Sequence, residues 1–138
     1  MKYWLVKSEP GSWSWQNQVD KKGAVPWDGV RNHQAANNLK AMKKGDRVFF
    51  YHSVNEKRIM GWVEVVREFY PDTTDKAGKF VCVDFVAREA MKTPVTLAEI
   101  KADDRFKDLA LIRQSRLSVM PVDAASWKAL AKMGGIKP

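Results

Sequence analysis

The stretch that decides the candidate site, and much of the fold around it, runs from Trp27 to Asn32 with the sequence WDGVRN. It leads, through a predicted short helix and turn, into RVFFYHS at residues 47–53, which is typical of a buried strand ending in polar side chains. An aromatic ring, an arginine, an amide and a serine at the two ends of one helix–strand unit suit a particular pocket. Such a pocket stacks a flat polar ring and hydrogen-bonds its edge. We therefore predict a binding pocket around these two motifs.

The whole chain has the composition of one soluble globular domain spanning residues 1–138, with 45% hydrophobic and 29% charged residues. No apolar run approaches the ~20 residues of a membrane helix. Charged residues follow the short YWLV run at the N-terminus, so no signal peptide is predicted. The single cysteine, Cys82, excludes an internal disulfide and fits a reducing compartment. We expect a monomeric, cytoplasmic protein.

Charge and tryptophan content both favour a nucleic-acid partner. The formal net charge of +8 attracts polyanions, because each phosphate contact releases condensed counterions. Lysines that only keep a surface soluble would give the same charge. The six tryptophans have two main uses, filling a core and stacking on flat ligands. Together these features predict DNA or RNA as the partner, and no membrane.

Hydrophobic periodicity predicts strands interleaved with short helices. The predicted strands are residues 2–6, 24–27, 47–53, 59–69, 80–87 and 113–122, and the predicted helices are 12–23, 32–42, 96–100 and a last one that begins at Asp123 and closes at Gly134–Gly135. The runs at 47–53 and 59–69 should form a hairpin with a possible bulge at Gly61. Residues 71–79 read as a flexible polar loop. Without regular βαβ spacing, this order favours a compact mixed barrel over a doubly wound sheet.

The turn predicted after the first strand contributes three candidate residues, Lys7, Ser8 and Glu9. Polar side chains at the exit of a strand are placed to line a site, although a solvated loop has the same composition. The carboxylate of Glu9 can accept a hydrogen bond from a base amino group, or hold Arg31 or Arg116 by a charge-assisted pair.

The WDGVRN stretch contains the principal binding candidates. Trp27 is the candidate stacking platform, with a core tryptophan as the alternative. Gly29 allows the backbone to approach a ring, and Val30 offers an apolar wall. Asn32 and Ser53 can read donors and acceptors on a base edge. Asn32 also suits the N-cap of the following helix, and both roles are compatible.

Three further residues near these motifs are less specific. Arg31 can contact a phosphate or stack on a base, and an ordinary surface arginine would look the same in the sequence. Tyr51 and His52 occupy adjacent strand positions and therefore point to opposite faces. Only one of them should enter the pocket, and the sequence leaves open which one. A neutral His52 acting as a structural hydrogen-bond partner is the favoured interpretation.

Four motifs, KYWLVKSEP, WDGVRNHQAANNLKAMKKGDRVFFYHS, GWVEVVREFYPD and RQSRLSVMPV, resemble the EVE domain family of the PUA-like superfamily. The resemblance extends over nearly the whole chain and looks like the stand-alone, bacterial type of member. It implies a mixed α/β (α+β) fold, a PUA-like β-pseudobarrel with short helices packed around it. It also implies a small pocket that recognises modified bases in DNA or RNA.

The RLSV pattern at residues 116–119 adds three candidates through this resemblance. If the segment is a strand, Leu117 and Val119 face the core, and Arg116 and Ser118 lie on the other side. Arg116 then contacts a phosphate or a base, together with Lys7 and Arg31. Leu117 and Ser118 belong to the predicted base pocket.

The predicted function is a non-catalytic reader that binds a methylated or hydroxymethylated base. The alternative is a hydrolase or nuclease acting on a modified nucleoside or RNA, with Lys7, Glu9 and either Ser8 or Ser53 as its acid–base set. A protein-interaction or purely structural role is the third possibility. One cysteine and two histidines fall short of a zinc pattern, and the scattered glycines form no phosphate loop, so neither a metal nor a cofactor is predicted.

Overall fold

One mixed sheet carries the fold in this computed structural model, which describes residues 1–137. Its strands are β1 (Tyr3–Ser8), β2 (Val25–Pro26), β3 (Arg47–His52), β4 (Arg58–Pro71), β5 (Val81–Thr96) and β6 (Val119–Val122). They lie in the order β2-β5-β4-β3-β1-β6. Strands β1 and β3 are parallel, and all other neighbours are antiparallel. The predicted mixed α+β class and the β3–β4 hairpin are confirmed.

Short helices cover this sheet. They are α1 (Trp15–Asp20), α2 (His33–Ala41), α3 (Leu97–Lys101), α4 (Ala110–Arg113) and α5 (Ala124–Met133), with a single 3₁₀ turn at Asp104–Phe106. The predicted caps are confirmed at Asn32, Thr96 and Asp123, whose side chains each accept a backbone N–H from the first turn. Within residues 1–137, none of the helices has the length and apolar character needed to span a membrane.

The prediction that the first helix begins at Ser12 is wrong, since α1 begins at Trp15 with Ser14 as its N-cap. The hydroxyl of Ser14 accepts from the backbone N–H of Asn17, and the Asn17 side chain accepts from the backbone N–H of Ser14. The backbone N–H groups of Ser12 and Trp13 both donate to the Glu9 carbonyl at 2.9 Å, which makes this segment a turn.

The first strand is longer than predicted. Lys7 and Ser8 belong to β1, because the Lys7 N–H donates to the Ser118 carbonyl and the Ser53 N–H donates to the Ser8 carbonyl, each at 2.9 Å. Both partners are far away in the sequence. The side chains of Lys7 and Ser8 are therefore fixed at the end of a sheet strand, and the turn begins after Ser8.

The last predicted strand, residues 113–122, is only half correct. Helix α4 ends at Arg113, and β6 contains only Val119–Val122. The N–H of Leu117 donates to the Gln114 carbonyl at 3.0 Å, closing a turn, so it is not available to a neighbouring strand. Arg116 consequently lies on an exposed turn, while Leu117 is buried as expected.

The core forms on both faces of β3. On one face Trp127 of α5 stacks on Phe49 with ring centroids 3.7 Å apart. On the other, the ring of Phe50 meets Trp15 and Trp27 edge-on. The predicted irregularity at Gly61 is confirmed by shifts of strand register beside it, and a Cβ there would lie 2.5 Å from the Trp15 ring. This packing brings the WDGVRN stretch against the end of the sheet.

Candidate functional site

A cavity of about 650 Å³ lies where the C-terminal end of β1 meets the loop that follows β2. We call it the Trp27 cavity. It is lined by Lys7, Ser8, Glu9, Ser12, Trp13, Lys21, Val25, Pro26, Trp27, Asp28, Gly29, Val30, Arg31 and Ser118. Its volume is within the range of small-molecule sites. The lining combines two indole rings with charged and hydroxyl groups, a mixture that suits a flat polar ligand.

Trp27 is held in place by contacts on its core side. Its backbone N–H donates to the Val83 carbonyl at 2.7 Å, which continues the pairing of β2 with β5. The ring packs edge-on against Phe50, at 5.6 Å between centroids, and tilted against Phe85 at 5.5 Å. The side chain stays half-exposed and lines the cavity. It is thus both a core contact and an accessible aromatic surface, which combines the two alternatives raised by the sequence.

Buried Asp72 holds the loop after Trp27 in its conformation. One carboxylate oxygen accepts the Gly29 N–H at 2.8 Å and the Arg31 guanidinium at 3.1 Å. The other oxygen accepts the backbone N–H and the hydroxyl of Thr74. Gly29 has a φ of +83°, in the left-handed region that favours glycine. This clamp crosses 43 residues of sequence and shapes one wall of the cavity.

These contacts set the charge state of Asp72. Burial by itself would raise the pKa of this carboxyl group, because it disfavours the ionised form. Hydrogen bonds from Thr74, Gly29 and Arg31 outweigh burial and lower the pKa of Asp72 to about 2. The carboxylate therefore stays ionised at neutral pH, and it neutralises part of the charge on Arg31. Arg31 is held by Asp72, so the pairing of Arg31 with Glu9, one of the alternatives that the sequence offered for Glu9, does not form.

The end of β1 supplies the opposite wall. The Lys7 ammonium donates to the Ser115 carbonyl at 2.7 Å and lies 5.9 Å from the centre of the Tyr51 ring. Partial burial lowers the pKa of Lys7. The Ser8 hydroxyl donates to the carbonyl of Trp13, which ties β1 to the turn before α1. The ring of Trp13 is half-exposed, and its N–H donates to the buried Gln18 side chain at 2.7 Å.

The structure brings together most, but not all, of the residues predicted to form the site. Eight of them line the Trp27 cavity: Lys7, Ser8, Glu9, Trp27, Gly29, Val30, Arg31 and Ser118. Three others, Asn32, Arg116 and Leu117, line a second groove next to it. Tyr51, His52 and Ser53 line neither.

The sequence predicted that either Tyr51 or His52 enters the pocket. Neither residue lines the Trp27 cavity, and both side chains are buried. Strand β3 is covered on both faces, so opposite orientations place both residues in the interior. The Nε2 atom of His52 accepts the Trp15 N–H at 2.9 Å, and Nδ1 lies 2.9 Å from a Glu56 oxygen. This arrangement requires a neutral ring with its proton on Nδ1, donated to Glu56. His52 is a structural hydrogen-bond partner, as the sequence favoured.

Sequence reasoning did not assign a role to Trp13, Asp28 or Asp72. Trp13 was considered only as part of the first helix, whereas it lies in the preceding turn. Asp28 lies within the WDGVRN stretch but received no role, although an exposed acid beside a candidate stacking ring is itself a signal. The partner of Asp72, the WDGVRN loop, is distant in sequence, and no local pattern could have found it.

Two carboxylates on the cavity wall are free to meet a ligand. Among residues 1–137, the side chains of Glu9 and Asp28 form neither a hydrogen bond nor a salt bridge, and both residues are exposed. Carboxylates accept hydrogen bonds from amino groups such as N4 of cytosine. The same described part of the chain contains no cluster of three or more His, Cys, Asp or Glu residues able to hold a metal ion.

Comparison with known proteins shows similarity over almost the whole chain. A family model described as EVE domain matches residues 2–133. Thymocyte nuclear protein 1 of Danio rerio is 35% identical, over 98% of this chain and 73% of the relative. An NMR structure from Rhodopseudomonas palustris has 56% identity and a TM-score of 0.93, covering 98% of this chain and 94% of that one. Human THYN1 protein in complex with 5-methylcytosine containing DNA has 30% identity and a TM-score of 0.92, with both chains covered completely.

Proposed function

This chain belongs to the EVE domain family, and from that premise we propose that it binds a modified base of DNA or RNA in the Trp27 cavity without catalysing a reaction. The observation that carries the proposal is the half-exposed Trp27 ring, fixed by the core on one side and lining a polar cavity on the other. Stacking of a base on such a ring contributes about 1–3 kcal/mol. The complex of human THYN1 protein with 5-methylcytosine containing DNA supports the same class of ligand.

The composition of the cavity favours particular bases. Glu9 and Asp28 offer carboxylate acceptors, which match the exocyclic amino group of cytosine or adenine and repel the O4 carbonyl that thymine carries in place of the cytosine amino group. Lys7 adds a donor for a ring nitrogen or carbonyl. Val30 and the two indole rings accommodate an added methyl group. A methylated cytosine-type base satisfies all of these groups at once.

A base must leave its helical stack to enter a cavity of this depth. The cost is a few kcal/mol in a duplex, and less in a single strand or at a mismatch. Stacking on Trp27 and the edge hydrogen bonds offset this cost. Binding should therefore be tighter to single strands than to matched duplexes of the same sequence.

The test is a binding panel of short oligonucleotides that differ at one central base. Cytosine, 5-methylcytosine and thymine form a matched set, because the last two share the methyl group and differ at the amino or carbonyl edge. We expect 5-methylcytosine to bind about fourfold more tightly than cytosine, which lacks a methyl contact of about 0.8 kcal/mol. It should bind about tenfold more tightly than thymine, whose carbonyl replaces the amino group, within the 1–3 kcal/mol that a wrong base edge costs. Affinity should also fall with added salt.

Equal affinity for all three bases, with a steep dependence on salt, would contradict the proposal. That result would leave only a basic surface that attracts any nucleic acid. A preference for thymine would show that the methyl group is sensed but that the carboxylates are not used.

The enzymatic alternative rests on Lys7, whose partial burial lowers the pKa of its ammonium group, the direction that a general base requires. Cys82 offers no second nucleophile, since burial raises the pKa of its thiol. We expect no product when the protein is incubated with acetylated or methylated nucleosides and analysed by mass spectrometry. Turnover that is abolished in a folded Lys7→Ala variant would overturn the non-catalytic function. The monomeric state and the cytoplasmic location stay predictions.

A further inference from the structure

A second, smaller groove lies next to the Trp27 cavity. It has a volume of about 380 Å³ and is lined by Asn32, Gln34 and the segment from Arg113 to Leu117. We call it the Arg116 groove. Its lining is mostly polar, with two guanidinium groups, three carboxamides and a hydroxyl, and it includes no acidic residue. These are the side chains that commonly contact phosphate and sugar oxygens.

Residues adjacent in the chain line the groove and the cavity. Arg31 lines the cavity and its neighbour Asn32 lines the groove. In the same way, Ser118 lines the cavity and its neighbour Leu117 lines the groove. Lys7 joins them, because its ammonium lines the cavity and donates to the carbonyl of Ser115 in the groove. The cavity and the groove are therefore neighbours, and the hydrogen bond from Lys7 to Ser115 links their linings.

Charge in the groove is available to a ligand. Among residues 1–137, Arg116 has no carboxylate partner within salt-bridge distance, and it is exposed. Arg113 pairs with Asp108 at 3.1 Å, but both side chains are more than half exposed, so the pair is weak and screened by salt. The Asn32 oxygen is occupied as the cap of α2, which leaves its amide NH₂ group as a donor.

We propose that the Arg116 groove binds the phosphate and sugar of the nucleotide next to the base held in the Trp27 cavity, so that the two pockets together bind a strand. This inference rests on the proposed function and adds the ligand's length to it. The recognised unit is a base within a chain of at least two nucleotides. A free nucleoside occupies only the cavity.

The test compares wild-type protein with an Arg113→Gln/Arg116→Gln double variant. Arg105→Gln, which removes an exposed and paired arginine that lines neither pocket, is the control. The probes are 5-methyl-2′-deoxycytidine 5′-monophosphate and a trinucleotide with 5-methylcytosine or cytosine at its centre. We expect the double variant to bind the modified trinucleotide roughly tenfold more weakly, with the salt slope reduced by about 0.7, the value for one phosphate contact to a single strand. Arg105→Gln should change affinity less than threefold.

The ratio of affinities for the modified and unmodified trinucleotides separates this inference from the proposed function. The double variant should keep the wild-type ratio, because the base cavity is intact. A wild-type ratio of one would refute the proposed function. Unchanged trinucleotide affinity in the double variant, or an equal loss in Arg105→Gln, would overturn the groove alone. If the double variant lost as much affinity for the monophosphate as for the trinucleotide, the groove would bind the phosphate of a free nucleotide. That result would overturn the inference that the ligand is a strand.

A gain-of-affinity variant makes the test independent of damage to the fold. Asp108→Asn removes the exposed partner of Arg113 without changing either pocket. With Arg113 released, the modified trinucleotide should bind about twofold to threefold more tightly at low salt, and the gain should vanish at high salt. Unchanged affinity at low salt would show that Arg113 does not contact the strand.

Discussion

Replacing Trp27 by alanine should weaken binding of the modified base about tenfold to a hundredfold while leaving a folded protein. The loss corresponds to the 1–3 kcal/mol that stacking on one aromatic ring contributes. Because the same ring packs on Phe50 and Phe85, the variant should also lose stability, by about 2 kcal/mol for a half-buried side chain. Titration with the 5-methylcytosine oligonucleotide, together with thermal unfolding, measures both effects.

Trp62→Ala is the matched control, since Trp62 is a half-buried tryptophan of the same sheet that lines neither pocket. It packs edge-on against Trp127 and beneath Arg47. Its removal should lower the melting temperature comparably and leave binding unchanged. A Trp27→Phe variant should retain most of the affinity. Equal losses of affinity in Trp27→Ala and Trp62→Ala would show that general destabilisation, and not stacking, is responsible.

Asp72→Asn should be the most destabilising single change in the site. The lowering of the Asp72 pKa from 3.8 to about 2 corresponds to roughly 2 kcal/mol of unfolding free energy at neutral pH. The amide removes the charge that Arg31 pairs with, and its NH₂ group cannot accept the N–H of Gly29. We also expect weaker base binding, because the loop after Trp27 loses its clamp. Denaturant unfolding and the oligonucleotide titration measure the two consequences.

The pH dependence identifies the clamp. The folded-state pKa of Asp72 is below its ordinary value, so its stabilisation is complete above about pH 5 and is lost as the pH falls toward 2. The difference in stability between wild type and Asp72→Asn should therefore shrink on acidification. Asp75→Asn changes a carboxylate of the same loop that accepts the backbone N–H groups of Ala77, Lys79 and Phe80, so this variant should keep base binding. A stability difference that is constant from pH 7 to pH 2 would contradict this role of Asp72.

Local patterns predicted the elements that depend on local chemistry. The caps at Asn32, Thr96 and Asp123 follow from hydrogen bonds within one turn. The EVE family resemblance and the PUA-like α+β fold that it implied are confirmed as well. The errors arose where distant partners decide. Strand β1 extends through Ser8 because Ser53 and Ser118 pair with its end, and both are remote in sequence.

The candidate site could be predicted only in part for the same reason. Trp27 and Gly29 were found because they belong to one short motif. The clamp by Asp72 crosses two strands, so the loop sequence alone could not indicate it. Alternation along β3 placed Tyr51 and His52 on opposite faces, but only the packing of the folded chain shows that both faces are covered. The structure identifies the residues that line the cavity, and their contacts with a ligand are predictions.

The most direct measurement of the central claim is a ¹H–¹⁵N NMR titration of the indole N–H signals with the 5-methylcytosine trinucleotide. The six tryptophans give separate reporters, and Trp27→Phe assigns the signal of Trp27. We expect the Trp27 and Trp13 signals to shift with the modified strand, and the signals of Trp62 and buried Trp127 to stay in place. Saturable binding that leaves the Trp27 signal unmoved would contradict the account, because the base would then be bound elsewhere.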